Sequence, residues 1–168
     1  MPERRTLERA ARDRRQGKAP STQAGEFIRE EMEHIREGKH GARSPQQAIA
    51  IGLSKARRAG VNLPPPRANS SSETRKKAAR DYAVGHGAAP RRRSTAKRSR
   101  ASASALRRED HSAASRESLS NQARSAAKRR SGSSRSASAR RAVTTKGPSR
   151  RATAARKAAR TRQMSASR

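Results

Sequence analysis

A mainly α-helical protein is predicted: a small helical hairpin over about 22–37 and 45–58, a helix before it, and a long basic tail with no core of its own. Three observations point there. The larger aliphatic residues recur at helical spacing and cluster before residue 64. Glycine and proline punctuate that part at 17, 20, 38, 45, 60 and 64–66. Finally, charge and folding capacity are segregated. The residues through Pro66 include 14 basic and 8 acidic ones, and 29 basic and 5 acidic follow, so of the formal +30 of 168 residues +6 lies in front and +24 behind.

Residues 3–15 read as an almost wholly charged helix with Leu7, Ala10 and Ala11 as its thin apolar edge and Gly17 as its stop. Alone in water such a helix frays. After Pro20, Ser21 or Thr22 is expected to cap a helix to about Glu37. Ala24, Ile28, Met32 and Ile35 fall within one arc at 100° per residue, with Phe27 beside it. Gly38 ends that helix. Ser44-Pro45-Gln46-Gln47 matches a capping box with proline at the first helical position, and the helix it opens should run to about Arg58, closed by Gly60 and Pro64–Pro66.

Ser44, Ala48, Gly52, Ala56 and Gly60 recur every fourth residue, a row of small side chains that lets another helix come close. Ile49 and Leu53 flank the row, so the first helix of the hairpin can lie against it, and Ile51 sits on its other edge. That arc is broader than one partner needs, so a second copy docking on the Ala48/Gly52/Ala56 face, or the 73–83 segment, is expected to cover the rest. The resulting organisation is a basic helical arm over 1–20, a helical core over 21–63, a Pro/Ser linker over 64–72, a short helix over 73–84 and an Arg/Ser/Ala-rich tail over 85–168. With few large aliphatics beyond Leu106, Leu119 and Val143, the tail is expected to be disordered. Its Ala/Arg units have good helix propensity but repel themselves, so helix should form there mainly when phosphate neutralises the charge.

Without cysteine there is no disulfide, thiolate metal site or Cys nucleophile. The four histidines, at 34, 40, 86 and 111, show no metal-ligand spacing, and His34 and His40 read as surface residues. No nucleophile elbow or paired acids accompany the serines, so neither an enzyme nor a cofactor or metal is expected. No stretch approaches the about 20 apolar residues of a membrane span, and a cytoplasmic protein is expected.

The clusters Arg91-Arg92-Arg93, Lys97-Arg98, Arg107-Arg108, Lys128-Arg129-Arg130, Arg140-Arg141, Arg150-Arg151 and Arg156-Lys157 can each displace counterions from a phosphate backbone. Nucleic acid is therefore the expected partner. The absence of aromatics from these clusters favours duplex DNA over RNA loops. A second set, Lys39, His40 and Arg43 in the glycine-containing loop and Lys55, Arg57 and Arg58 behind it, offers phosphate contacts near a helix N-terminus. Arg43, Gln46 and Gln47 can be read as the start of a groove-reading helix, although the 38–44 connection is longer than a helix-turn-helix uses and Gln47 is more simply the return arm of the capping box. Glu26, Glu30, Glu33 and Glu37 line one sector opposite the apolar arc and read as a solvated acidic face, or one able to hold a basic partner or the tail. The function expected is non-sequence-specific DNA binding by a nucleoid-associated, histone-like accessory protein. The rivals are an RNA- or ribosome-associated protein and an interaction adaptor working through the helical core.

The block Arg36-Glu-Gly-Lys-His-Gly-Ala-Arg-Ser-Pro-Gln-Gln-Ala-Ile-Ala-Ile-Gly-Leu-Ser-Lys-Ala-Arg-Arg-Ala-Gly60, within about residues 20–63, resembles an uncharacterised bacterial family of small basic proteins known as a domain of unknown function. The resemblance implies an intracellular bacterial protein with a helical core and a variable basic tail, and carries no activity or site residues. The tail resembles linker-histone-like bacterial proteins in composition, with far less lysine than their usual pattern.

Overall fold

The computed structural model describes residues 2–66, 70–90 and 95–166. Among them the chain is helical, without strands: α1 (Arg4–Arg15), α2 (Pro20–Arg36), α3 (Pro45–Arg58), α4 (Ser72–Gly85), α5 (Ala96–Arg107), a 3-10 turn (Ser112–Ala114), α6 (Arg116–Lys128) and α7 (Gly132–Ala166). Residues 1–122 and 123–168 form two compact units.

The hairpin of α2 and α3 is the centre of the first unit. Ser44 caps α3 by accepting from the Gln47 amide at 3.3 Å, and Gln47 Oε1 accepts from the Arg43 amide at 2.9 Å, so both side chains satisfy amides that the first turn leaves free. α2 begins two residues earlier than expected because Pro20 takes the first helical position, with no side-chain cap at Ala19. Gly17, Gly38 and Gly60 have φ of 67°, 73° and 86°, the left-handed conformation that ends a helix cheaply only when no Cβ is present.

The small-residue row does its work inside the chain. A Cβ on Gly52 would lie 2.8 Å from Ile28 Cα, so the α2 backbone comes as near to α3 as glycine permits. Ala48 and Ala56, above and below, are fully buried. This corrects the expectation of a homodimer through Ala48, Gly52 and Ala56, because α2 already covers that face. Two apolar clusters flank the crossing. One is Ala10, Ala24, Phe27, Ala56 and Val61, with Leu53 and Leu63 against it. The other is Met32, Ile35, Ala42, Ala48, Ala113 and Ala114, with Ile28, Ile49 and Leu119.

Three further segments close this unit. α4 lies on α3, capped by Ser71, with Ala78 buried. Ser54 donates to Asp81 at 2.6 Å, Tyr82 donates to Asn62 at 2.7 Å, and a Cβ on Gly85 would strike the Arg57 carbonyl. The stretch after α5 returns to the core, where the Gly41 and Ala42 amides donate to the Leu106 and Asp110 carbonyls at 2.8 and 2.9 Å and Arg36 donates to the Ala114 carbonyl at 3.1 Å. α1 buries Thr6, Ala10 and Asp13 and leaves Leu7 42% exposed, so its inner face is more polar than its aliphatic edge predicts.

Disorder expected from residue 85 onward is not what the structure describes. Helix covers much of 96–166, and its starts follow local rules: Thr95 Oγ1 accepts from the Arg98 amide at 3.3 Å, Ser115 Oγ from Ser118 at 3.1 Å and Ser131 Oγ from Ser134 at 3.2 Å. Alanine and arginine have favourable helix propensity, which needs no core to express itself locally. In the second unit none of the described side chains is buried, and α7 is broken by Gly147 at φ 63° followed by Pro148. No helix among the described residues is long and apolar enough to cross a membrane.

Candidate functional site

Two sets of ionisable groups are available, and their surroundings differ. The cations of the C-terminal part stand exposed on helices or at their ends: Lys97 and Arg98 on α5, Arg107 and Arg108 at its end, Lys128 on α6 and Arg129 and Arg130 after it, and Arg140, Arg141, Arg151, Arg156 and Lys157 on α7. Arg91, Arg92 and Arg93 lie outside the described residues, and Arg150 is placed on α7 by its backbone alone. Arg130 and Arg151 make side-chain bonds to the Ser134 and Gly147 carbonyls, at 3.3 and 3.2 Å, which leave their charge uncompensated. The sequence after Glu117 contains 15 Lys and Arg and no Asp or Glu, so no carboxylate side chain within that stretch can neutralise them.

The second set sits where α1, α2 and α3 meet. Glu30 and Glu31 are each 1% exposed, and both accept from the Lys55 ammonium, Glu30 at 3.0 Å. Burial raises the Glu30 carboxyl pKa, but hydrogen bonds from Thr6, the Glu3 amide (3.0 Å) and Lys55 outweigh it and hold it below the ordinary value. Lys55 shows the mirror image. Burial lowers its pKa, yet its bonds first to Glu31 and then to Glu30 hold it above the ordinary lysine value, so the ammonium stays charged. Arg9 Nε lies 2.6 Å from Glu26, and Arg29 is 3.1 Å from Glu33. The glutamate sector of α2 is therefore solvated only in part: α1 lies on Glu26 and Glu30, while the side chains of Glu33 and Glu37, 44% and 56% exposed, keep the solvated face and its local Arg29 pair.

Beside this centre stand His34 and His40, with side chains only 14% and 17% exposed, which corrects their reading as surface residues. Their rings meet edge to face with centroids 6.0 Å apart. His34 Nε2 is 2.8 Å from Glu3 Oε1 and its Nδ1 is 3.9 Å from Glu31 Oε1. His40 Nε2 is 3.7 Å from Glu31 Oε2, and its Nδ1 is 3.1 Å from the Gly41 carbonyl. One donor atom from each of Glu31, His34 and His40 lies within 4.8 Å of the other two. A signal was present in Glu31-x-x-His34, one turn apart on one helix face, but the position of His40 depends on the turn at Gly38, which spacing alone does not reveal.

Residues 3–67 match a family of unknown function (DUF6496). No curated protein and no solved structure matches the chain. The matched segment takes in α1, α2 and α3, and with them the whole Glu30/Glu31/Lys55/His34/His40 centre, whereas every cation cluster from Arg91 onward lies beyond it.

Within the matched segment, the six residues read as phosphate contacts are largely committed elsewhere. Lys55 is enclosed by Glu30 and Glu31, which leaves it no charge to offer a phosphate. Arg57 is 8% exposed and donates to the Leu63 carbonyl at 3.2 Å, and burial lowers its pKa. Lys39 lies 2.9 Å from Glu37 and 3.4 Å from Glu3, and Arg58 lies 3.7 Å from Asp81. His40 turns inward. Arg43 is the most exposed of the six, at 80% of its side chain, with Glu109 at 3.6 Å. Gln46 bonds to Gln122 and Gln47 to the Arg43 amide, so neither side chain is free to read a base.

Proposed function

We propose that this protein binds nucleic acid, duplex DNA ahead of RNA, through the cationic helices after the first unit and without sequence preference, as a nucleoid-associated, histone-like accessory protein rather than an enzyme. The observation that carries the reading is the run of 15 basic residues after the last carboxylate of the sequence, with each described Lys and Arg side chain in it exposed. A phosphate polymer releases condensed counterions as such cations replace them, and this supplies affinity without any contact to bases. The first unit provides a folded base in which the carboxylates of residues 1–66 are already matched by neighbouring cations.

Helices α5 to α7 bury little apolar surface, so their order in the free chain rests on propensity and caps, opposed by self-repulsion. On this reading the tail is loosely held when free and firms up when phosphates reduce that repulsion. The lack of aromatic side chains after Tyr82 removes the stacking that single-strand binders use, which favours a duplex.

Titrating a labelled short duplex with the full chain and with a chain ending at Gln122 tests this. The full chain is expected to bind about 100-fold more tightly or better at low salt. Equal affinity for the two chains overturns the proposal, and a clear preference of the full chain for single-stranded RNA replaces DNA with RNA as its partner.

A further inference from the structure

The arrangement of Glu31, His34 and His40 serves no purpose in polyanion binding, since it lies in the matched segment and faces inward. The bonds on the outer side of each ring determine which nitrogen faces Glu31. His34 Nε2 meets a carboxylate oxygen, Glu3 Oε1, at 2.8 Å, so that nitrogen is the donor and Nδ1 is the ring nitrogen turned toward Glu31. His40 Nδ1 meets a carbonyl oxygen, that of Gly41, at 3.1 Å, so this nitrogen is the donor and the Nε2 lone pair turns inward.

Two imidazole lone pairs and a buried carboxylate therefore converge. The nitrogens lie 3.9 and 3.7 Å from the carboxylate oxygens, too far for hydrogen bonds. A metal ion drawn between such donors closes a gap of that size. Lys55 already occupies Glu31 Oε1, leaving Oε2 as the available oxygen.

We propose that Glu31 Oε2, His34 Nδ1 and His40 Nε2 bind one divalent transition-metal ion, with zinc the natural occupant and water as the fourth ligand. Two histidines and a carboxylate form a donor set suited to zinc. Bonds of roughly 2.0–2.2 Å at a tetrahedral ion place the donors about 3.3 Å apart. With one donor atom of each residue within 4.8 Å of the other two, closure requires inward movement of about 1.5 Å. The outer bonds to Glu3 and Gly41 are those that fix the tautomer and ring direction of a metal-bound histidine. Bound there, the ion ties the 38–44 loop to α2 and, through Glu3, to the start of α1. That loop in turn holds the segment around Leu106 and Asp110. The inference is independent of nucleic-acid binding.

The test uses the full metal-free chain, titrated with Zn²⁺ by calorimetry and with Co²⁺ by visible absorption. One ion per chain is expected, with the intense visible bands of a four-coordinate cobalt site. His40→Ala, which alters a loop rather than a helix, should weaken binding more than about 100-fold, and His34→Ala likewise. Glu3→Gln should weaken it about 10–100-fold by loosening the His34 ring. His86→Ala and His111→Ala should leave it unchanged. Circular dichroism of the metal-free variants separates loss of ligand from loss of fold. Absence of saturable binding, or binding that survives His34→Ala/His40→Ala together, overturns the proposal.

Discussion

In residues 1–66 all eight carboxylates lie within ion-pair distance of a Lys, Arg or His, whereas after Glu117 fifteen Lys and Arg follow with no carboxylate side chain among them. Both stretches are helical. The difference lies in what each helix rests on. Phe27, Met32 and Ile35 of α2 are buried against neighbours, and that packing brings together acids and bases distant in sequence, as in the pairs Arg9–Glu26, His34–Glu3, Lys55–Glu30 and Lys55–Glu31. In 123–166 no described side chain is buried, and Arg130, Arg135, Arg151 and Arg162 bond there to backbone carbonyls or a serine hydroxyl, groups that carry no negative charge. Apolar content thus decides where charge is consumed in folding and where it is left for an external polyanion.

The sharpest way to break this comparison is to remove the cation of the buried centre. Lys55→Met leaves Glu30 and Glu31 buried without their shared ammonium and should lower unfolding stability by about 3–5 kcal/mol in urea titration. The equivalent change on the exposed α7, Arg156→Met, should stay within about 0.5 kcal/mol. Similar values for the two would remove the distinction between the regions.

The α2–α3 crossing gives the next largest effect. Gly52→Ala should cost about 1–3 kcal/mol, since its methyl would press on the Ile28 backbone. Gly25→Ala, in the same hairpin but with nothing within 4 Å of the added carbon, should instead stabilise by about 0.4–1 kcal/mol. Opposite signs in thermal unfolding are the expected result. Ser44→Ala, which removes the α3 cap, should cost about 1 kcal/mol by the same measurement.

The smallest effect is a pH dependence. Bonds from the Ser112 hydroxyl, the Ser112 amide and the His111 amide hold the Asp110 carboxyl below its ordinary value of 3.8. Because the folded value is the lower one, the stability linked to Asp110 is present above the unfolded value and is lost as pH falls through the folded one. Ser112→Ala should move the Asp110 midpoint, followed by carboxyl NMR, upward toward 3.8.

Much of the hairpin was legible in the sequence. Ser44-x-x-Gln47 announced the α3 cap, and the fourfold spacing of Ala48, Gly52 and Ala56, flanked by Ile49 and Leu53, announced the close crossing with α2. α1 was harder to read, because its buried face is Thr6, Ala10 and Asp13 rather than Leu7, and it docks on a glutamate sector that looks solvated until both helices are placed. Ala113 and Ala114 gave no signal at all. Alanine in an Ala-rich stretch has no period to stand out against, and their burial depends on Ala42 and Ile35, distant in sequence. From residue 85 onward weak hydropathy predicts the lack of a core, while helix propensity and the caps at Thr95, Ser115 and Ser131 act without one.

The central claim is that uncompensated charge on the C-terminal stretch is free to exchange counterions with a phosphate polymer. Measuring duplex affinity of the full chain against salt tests it most directly. With ~8 phosphates neutralised, log Kd against log salt should rise with a slope near 7, and each Arg→Gln change among Arg129, Arg130, Arg140 and Arg151 should reduce that slope by about 0.9. A slope near zero, or one that those substitutions leave unchanged, would contradict the account.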